Sequence, residues 1–273
     1  MQVDEKMLND EKYVELITYL RSLKKVVLAF SGGVDSTFLL RAAKEALGKN
    51  FKAVTIQSPY IPKWEIEEAK QLVEELEVEW ELVQAPIIDA IRENPENRCY
   101  LCKKAVFGLI QKVAEDGGYE HIIDGTNFDD ISDYRPGLKA LKELDVKSPL
   151  LACKLTKQEI RDFSRQLHLK TWDKPPYACL LTRIPYGNKL KESDFVMIEK
   201  AERYMMEKGF RAIRVRCHGD LARIEVNKTD RAKLFHEDLL DEISNKFKEF
   251  GFRYVSLDLE GYRVGSFNAA LGK

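Results

Sequence analysis

The chain has 273 residues, 44% hydrophobic and 33% charged, enough to bury a substantial core in one large or two modest soluble domains. Lys+Arg 44 against Asp+Glu 45 leaves a net charge of -1, so no global attraction to nucleic acid is expected and only local basic patches stay open. No stretch approaches the length of a membrane span, and Met1-Gln2-Val3-Asp4-Glu5-Lys6 carries acids and no apolar signal core, so the expectation is a cytoplasmic protein with no membrane partner.

In chain order, Tyr13, Leu16, Ile17 and Leu20 recur at helical spacing and predict a lead helix over 12–22. Val26 to Phe30 reads as a buried first strand, followed by a helix over 36–47 ended by Gly48. A second strand is expected at 53–56, a helix from Trp64 to Leu76, a third strand at 80–84, a helix over roughly 101–115 and a fourth strand at 121–125. Strands alternating with helices imply a parallel sheet covered on both faces, with ligands bound beyond the carboxyl ends of the strands. After about residue 190 the pattern changes. A helix over 193–208 leads into a hairpin of 210–217 and 221–226, then a helix over about 229–249 and a strand at 254–259. The expected organisation is an α/β parallel-sheet, Rossmann-like domain over 1–188 and a smaller α+β domain over 189–273.

Between the first strand and its helix lies Ser31-Gly32-Gly33-Val34-Asp35-Ser36. The first N–H groups of a helix lack intrahelical partners and sit at the positive end of the macrodipole, which makes this an anion site. Gly32 and Gly33 let the backbone approach an anion closely. Ser31 and Ser36 add hydroxyl donors, and Asp35 is placed to cap the helix or help hold magnesium. Neither a Walker lysine motif nor Gly-x-Gly-x-x-Gly is present. The bland reading is an ordinary strand-to-helix turn. The segment resembles instead the SGGxDS loop of the PP-loop ATP pyrophosphatases, which split ATP between the α and β phosphates and adenylate an acceptor.

Five cysteines are an odd number and do not read as a disulfide framework. Cys99 and Cys102 form a Cys-x-x-Cys at a helix start, where the helix terminus, Arg98 and Lys103 are expected to favour thiolates. Cys179 follows the proline-stiffened Lys174-Pro175-Pro176. Taken alone, the pair reads equally as structural zinc or packing, although the four histidines offer no adjacent fourth ligand. Cys153 and Cys217 are read as bystanders, with Cys217 pointing coreward beside Ile213 and Val215.

Further segments extend the resemblance. Gly125-Thr126-Asn127-Phe128-Asp129-Asp130, Asp133 to Gly137, Leu155 to Arg161, Thr171 to Pro175, Cys179 through Gly187 and Leu259 to Ser266 are similar to segments of the LarE family of ATP-dependent sulfur transferases. The resemblance covers about residues 12–270. It implies sulfur insertion into pyridinium-3,5-biscarboxylic acid mononucleotide, on the route to the nickel-pincer nucleotide of lactate racemase. In one branch the cysteine matching Cys179 surrenders its own sulfur and becomes dehydroalanine. In another, three cysteines hold a 4Fe-4S cluster that carries exogenous sulfide, and the presence of Cys99, Cys102 and Cys179 resembles that branch.

The resemblance also implies roles for other residues. Ser31, Gly32, Gly33, Asp35, Ser36, Ser58, Asp124, Asn127 and Asp130 are expected around ATP and its magnesium, although Asp124 reads equally as a turn cap and Ser58 as turn chemistry. Arg214, Arg216 and Arg263 resemble the arginines that bind the substrate phosphate, and Glu202 and Glu225 an acidic or metal-binding pocket. The bland alternatives are a solvated hairpin face for the arginines and an exposed helix position for Glu202. Arg135 and Lys154 are candidates for phosphate or carboxylate contact. A sulfide source and a homo-oligomer are expected on family grounds. Cluster-dependent tRNA thiolation is the alternative, disfavoured by the neutral charge.

Overall fold

The computed structural model describes residues 10–132 and 136–263; Arg135 and the signature end Val264-Gly265-Ser266 lie outside the described residues. The chain divides into two compact units. One comprises the residues up to Ile91 with Asn97–Pro176, the other Arg92–Glu96 with the residues from Tyr177 onward.

The first unit is a four-stranded parallel sheet of order β3-β2-β1-β4, formed by β1 (Val26–Ala29), β2 (Phe51–Gln57), β3 (Trp80–Gln84) and β4 (His121–Ile123). β1 is central, with Val26 opposite Phe51 on one side and His121 on the other. Its helices are α1 (Glu11–Ser22), α2 (Val34–Leu47), α3 (Lys63–Glu75), α4 (Arg98–Asp116), α5 (Pro136–Glu143), α6 (Pro149–Ala152) and α7 (Lys157–Gln166). Successive strand side chains point to opposite faces, so a sheet covered on both sides must be apolar on both. Val26 and Leu28 accordingly join a core with Leu16, Phe38, Leu72 and Phe163 from α1, α2, α3 and α7. Val27 and Ile122 join a second core with Phe107, Ile110 and Leu141 from α4 and α5.

The element pattern holds with shifts at two helix starts. α2 begins at Val34 rather than 36, because Gly33 takes the extended N-cap position. α4 begins at Arg98 rather than 101, which puts Cys99 and Cys102 inside its first turn and a half. The short helices α5, α6 and α7, of eight, four and ten residues, are not anticipated, since segments this short show little periodicity.

The second unit contains α8 (Glu192–Glu207), β5 (Arg214–His218), β6 (Leu221–Glu225), α9 (Glu237–Phe250) and β7 (Tyr254–Leu257). β5 and β6 form the expected antiparallel hairpin, although β5 begins at Arg214 rather than 210 and takes in His218, a residue expected in the turn; β7 adds parallel to β6, giving a mixed sheet. The expected single helix over 229–249 is two pieces, a 3-10 stretch at Lys228–Leu234 and α9, separated by an extended His236. Phe235 is 69% exposed and Leu240 44%, so no apolar stripe carries one helix across the break from Leu234 to Ile243.

The segment 92–96 is fastened within this unit. Asn94 is fully buried with φ 47. Its side-chain amide donates to the carbonyls of Ile184 and Pro185, both at 2.8 Å, and its own carbonyl accepts from Gly187 N–H at 3.1 Å. Leu190 N–H donates to Arg92 O at 2.8 Å. Among the described residues no helix is long and apolar enough to cross a membrane.

Candidate active site

The loop 31–36 stands at the carboxyl end of β1. Gly32 has φ +69, and a Cβ there would lie 3.2 Å from Ala69 Cβ on α3. Gly33 N-caps α2 without any side-chain cap, so the first-turn N–H groups are presented to the space an anion would occupy. The Ser31 and Ser36 hydroxyls are 3.1 Å apart, and Ser36 Oγ donates to Gly33 O at 3.2 Å. Gly125, after β4, brings a second loop against this helix start, since a Cβ there would lie 3.1 Å from Ser36 N.

Asp35 does not cap the helix. It lies in the first turn of α2, and its carboxylate accepts from Asn127 Nδ2 at 3.3 Å and from Lys157 Nζ at 2.5 Å. Lys157 opens α7, where Thr156 and Glu159 form a capping box. A second lysine, Lys174, donates to Gly32 O at 3.1 Å and to Glu68 at 2.6 Å. Arg161 on α7 holds the same stretch through the carbonyls of Trp172 at 2.6 Å and Lys174 at 2.9 Å. None of these three cations is singled out by spacing; they sit only within the quoted segments.

The loop after β4 is internally braced. Asp124 accepts from Ser148 Oγ and Thr126 Oγ1, both at 2.6 Å, which is the turn-holding arrangement. Asp130 accepts from Asn127 N–H at 3.1 Å. Ser58, just past β2, is buried and its Oγ makes no hydrogen bond.

Cys99 and Cys102 sit one turn apart on α4, and Cys102 Sγ is hydrogen-bonded to Tyr60 OH at 3.2 Å. The expected thiolate bias fails at Cys102. Burial raises its pKa, and the opposing pull of Tyr60, Lys103 and Arg98 is too weak to reverse that. In metal-free protein, iodoacetamide labelling of Cys102 followed by peptide mass against pH is therefore expected to show a midpoint above that of an ordinary cysteine. Tyr60→Phe should move it higher, because the phenol is the strongest influence pulling it down. A midpoint at or below the ordinary value would show that burial does not govern this thiol.

None of the five cysteines is in a disulfide; Cys99, Cys102 and Cys179 are half-buried, while Cys153 and Cys217 are buried. Burial pushes Cys153 up to about 11 and Cys217 up to about 12, which makes both poor nucleophiles at neutral pH. Among the described residues no group of three or more His, Cys, Asp or Glu side chains is arranged to hold a metal ion.

In the second unit Arg214 and Arg216 share a strand face, but that face is not solvated: they are 3% and 5% exposed. Glu202, at 2%, is not an exposed helix residue either. The reason is charge pairing. Arg183 forks onto Glu202 with two bonds of 2.8 Å, and Arg216 onto Glu225 at 2.9 and 2.6 Å. Glu225 also accepts from Arg223 at 3.0 Å. Both carboxylates thus act as counterions to arginines. Arg214 lies over the Tyr262 ring at 4.7 Å, and burial followed by the nearby Arg183 holds its pKa below the ordinary arginine value. Arg263 stands apart from this network, exposed and paired with Glu260.

The profile of the NAD synthase family matches residues 9–108, which span the loop 31–36 and the Cys-x-x-Cys. An uncharacterized protein of Synechocystis sp. is 38% identical over 97% of this chain and 99% of its own length. The pyridinium-3,5-bisthiocarboxylic acid mononucleotide synthase of Lactiplantibacillus plantarum is 34% identical over 96% of this chain and 95% of its own. An uncharacterized protein of Methanocaldococcus jannaschii is 35% identical over 88% and 91%. Similarity that runs end to end through both units, and does not stop with the phosphate loop, places this chain in the LarE-like family of PP-loop ATP pyrophosphatases, ATP-dependent sulfur-insertion enzymes.

Proposed function

We propose that this protein converts carboxylates of pyridinium-3,5-biscarboxylic acid mononucleotide into thiocarboxylates at the expense of ATP. The full-length similarity to the Lactiplantibacillus plantarum synthase carries this reading. A substrate carboxylate oxygen attacks the α-phosphorus of ATP, the bond to the β-phosphate bridging oxygen breaks, and pyrophosphate leaves. A sulfur nucleophile then attacks the acyl carbon, and the carbon–oxygen bond breaks to release AMP. The uncapped start of α2, with Ser31, Gly32, Gly33 and Ser36, is suited to bind the departing pyrophosphate. Asp35, Asn127 and Asp130 belong to the magnesium and phosphate side of the site, Lys157 steadies Asp35, and the orphaned Ser58 hydroxyl and Asp124 belong to the adenosine side. Arg214, Arg216 and Arg263 are proposed to bind the substrate phosphate, beside Glu202 and Glu225.

The sulfur is proposed to be carried at Cys99, Cys102 and Cys179. Their chemistry fits an iron–sulfur centre, since all three are thiols that are only half-buried, whereas Cys153 and Cys217 are buried. A 4Fe-4S cluster held by them would supply an iron site for exogenous sulfide, so that no cysteine is consumed. An external sulfide source and a homo-oligomer complete the reading.

Iron and sulfide analysis after anaerobic purification, with the absorption spectrum, tests it on the parent chain and on Cys99→Ala, Cys102→Ala and Cys179→Ala. About four irons and four sulfides per chain, lost in each variant together with sulfur transfer, are expected. Metal-free protein that still transfers sulfur, and loses the mass of hydrogen sulfide only when Cys179 is present, would replace the cluster with sacrificial chemistry. Absence of AMP and pyrophosphate formation with the pyridinium substrate would overturn the activity itself.

A further inference from the structure

Cys179 precedes a single 3-10 turn, Leu180–Arg183, and a turn this short does not hold its own shape. Its local bonds are ordinary: the carbonyl of Cys179 accepts from Thr182 N–H at 3.2 Å and Thr182 Oγ1 at 3.1 Å. The non-local support comes from Arg183, whose side chain is 1% exposed. One edge of its guanidinium is spent on both oxygens of Glu202. The remaining nitrogen, Nη1, turns back to the cysteine segment, donating to Ala178 O and Thr182 Oγ1 at 2.8 Å each and reaching Cys179 O at 3.4 Å. Glu202 is itself fixed, because its Oε1 also accepts the Val215 N–H of β5 at 2.8 Å. Arg216 reinforces the same turn through Thr182 O at 2.7 Å.

A guanidinium is planar with fixed N–H directions, so pinning one edge determines where the other points. The backbone on both sides of the Cys179 α-carbon is thereby referenced to α8 and β5. We propose that Arg183 is a positioning residue for Cys179: braced on Glu202, it holds the Ala178 and Cys179 carbonyls and so aims the sulfur. This inference rests on the reading of Cys179 as part of the sulfur site.

The test uses anaerobically prepared enzyme and follows thiocarboxylate formation alongside substrate-dependent ATP–pyrophosphate exchange, which reports adenylation alone. Arg183→Lys keeps the buried charge but loses the fork. Thr182→Val leaves the Arg183–Glu202 pair and the Arg183 bonds to the Ala178 and Cys179 carbonyls intact, and removes a hydroxyl that accepts from Arg183 and donates to the Cys179 carbonyl. Arg183→Lys is expected to lower kcat for sulfur transfer by about tenfold or more, and Thr182→Val by less, with the exchange rate and the KM for ATP unchanged. Thr182→Ser, which returns the hydroxyl, should restore transfer. Parental kcat in Arg183→Lys, or transfer and exchange falling in parallel, would overturn the inference and leave Arg183 a structural residue. Should Arg183→Lys fail to fold, the neutral pair Arg183→Gln with Glu202→Gln, which strands no buried charge and lacks the Nη1 donor to the turn, takes its place under the same reading. Cys179→Ala separates the two levels: if it retains transfer, the sulfur-site reading fails, whereas an inactive Cys179→Ala beside a fully active Arg183→Lys sinks only the positioning role.

Discussion

Gly32→Ala is expected to lower kcat/KM for ATP by about a hundredfold, the scale of losing a preorganised anion donor, and to cost about 1–3 kcal/mol of stability. Two effects act on one methyl group. At φ +69 any Cβ is strained, and here it also meets Ala69 Cβ at 3.2 Å and Ala69 Cα at 3.3 Å. Those atoms belong to α3, whose Ala69 is fully buried, so the helix has little room to yield. The loop relieves the strain by rotating, and rotation turns its N–H groups away from the phosphates. Gly48→Ala provides the comparison, because φ is +62 there and nothing lies within 4 Å. It should cost about 1–3 kcal/mol and leave the ATP response untouched. Steady-state kinetics with thermal melts, with and without ATP, distinguish the two. A normal KM for ATP in a merely less stable Gly32→Ala would show that loop geometry is not what holds the phosphates.

Glu225→Ala is expected to be the most destabilising single change in the second unit, at about 3–5 kcal/mol. The carboxylate is 2% exposed and takes two bonds from Arg216 and one from Arg223. Its removal leaves the Arg216 guanidinium, whose side chain is 7% exposed, without that counterion in a place water barely reaches. The penalty comes from the stranded charge rather than from lost attraction. Replacing both partners, as in Arg216→Met with Glu225→Met, should therefore recover most of it. Denaturant titration of the single and double variants measures this. A loss below 1 kcal/mol for Glu225→Ala, or a double variant worse than the single, would mean that solvent or another acid already compensates Arg216.

The first unit is legible because its strands are short apolar runs and its helices repeat Leu, Ile and Phe at helical spacing, both local properties of the chain. Reading the second unit exposes the limit of that approach. Alternation around Ile213, Val215 and Cys217 correctly finds one buried face of β5, but spacing cannot report whether the opposite face is covered as well. Arg216 is buried because β6 brings Glu225 to that side, Glu202 because Arg183 pairs with it, and Arg214 lies against the Tyr262 ring. The lysines at the phosphate loop are hidden by distance along the chain. Lys157 is 122 residues from Asp35, and Lys174 is 142 from Gly32. A lysine after a proline-rich or capping segment looks like any surface lysine until the fold closes. Cys102 misleads in a different way, since the neighbouring positive charges are visible in sequence and the desolvation that outweighs them is not.

The fastening of Asn94 to Ile184 and Pro185 means that the smaller unit is written in two separated pieces of the chain. During synthesis, the segment 92–96 is made some 90 residues before the carbonyls that will receive its amide. Closing so long a loop carries an entropic cost that no local contact offsets, so completion of this unit is a late step and a slow one relative to the hairpin β5–β6. A fragment cut at Tyr177 would not be an independent domain, because it would lack the peptide that pairs with Gly187 and Leu190. Supplying residues 92–96 on a separate piece, or joining them to the end of the fragment in a rearranged chain order, would make the unit whole.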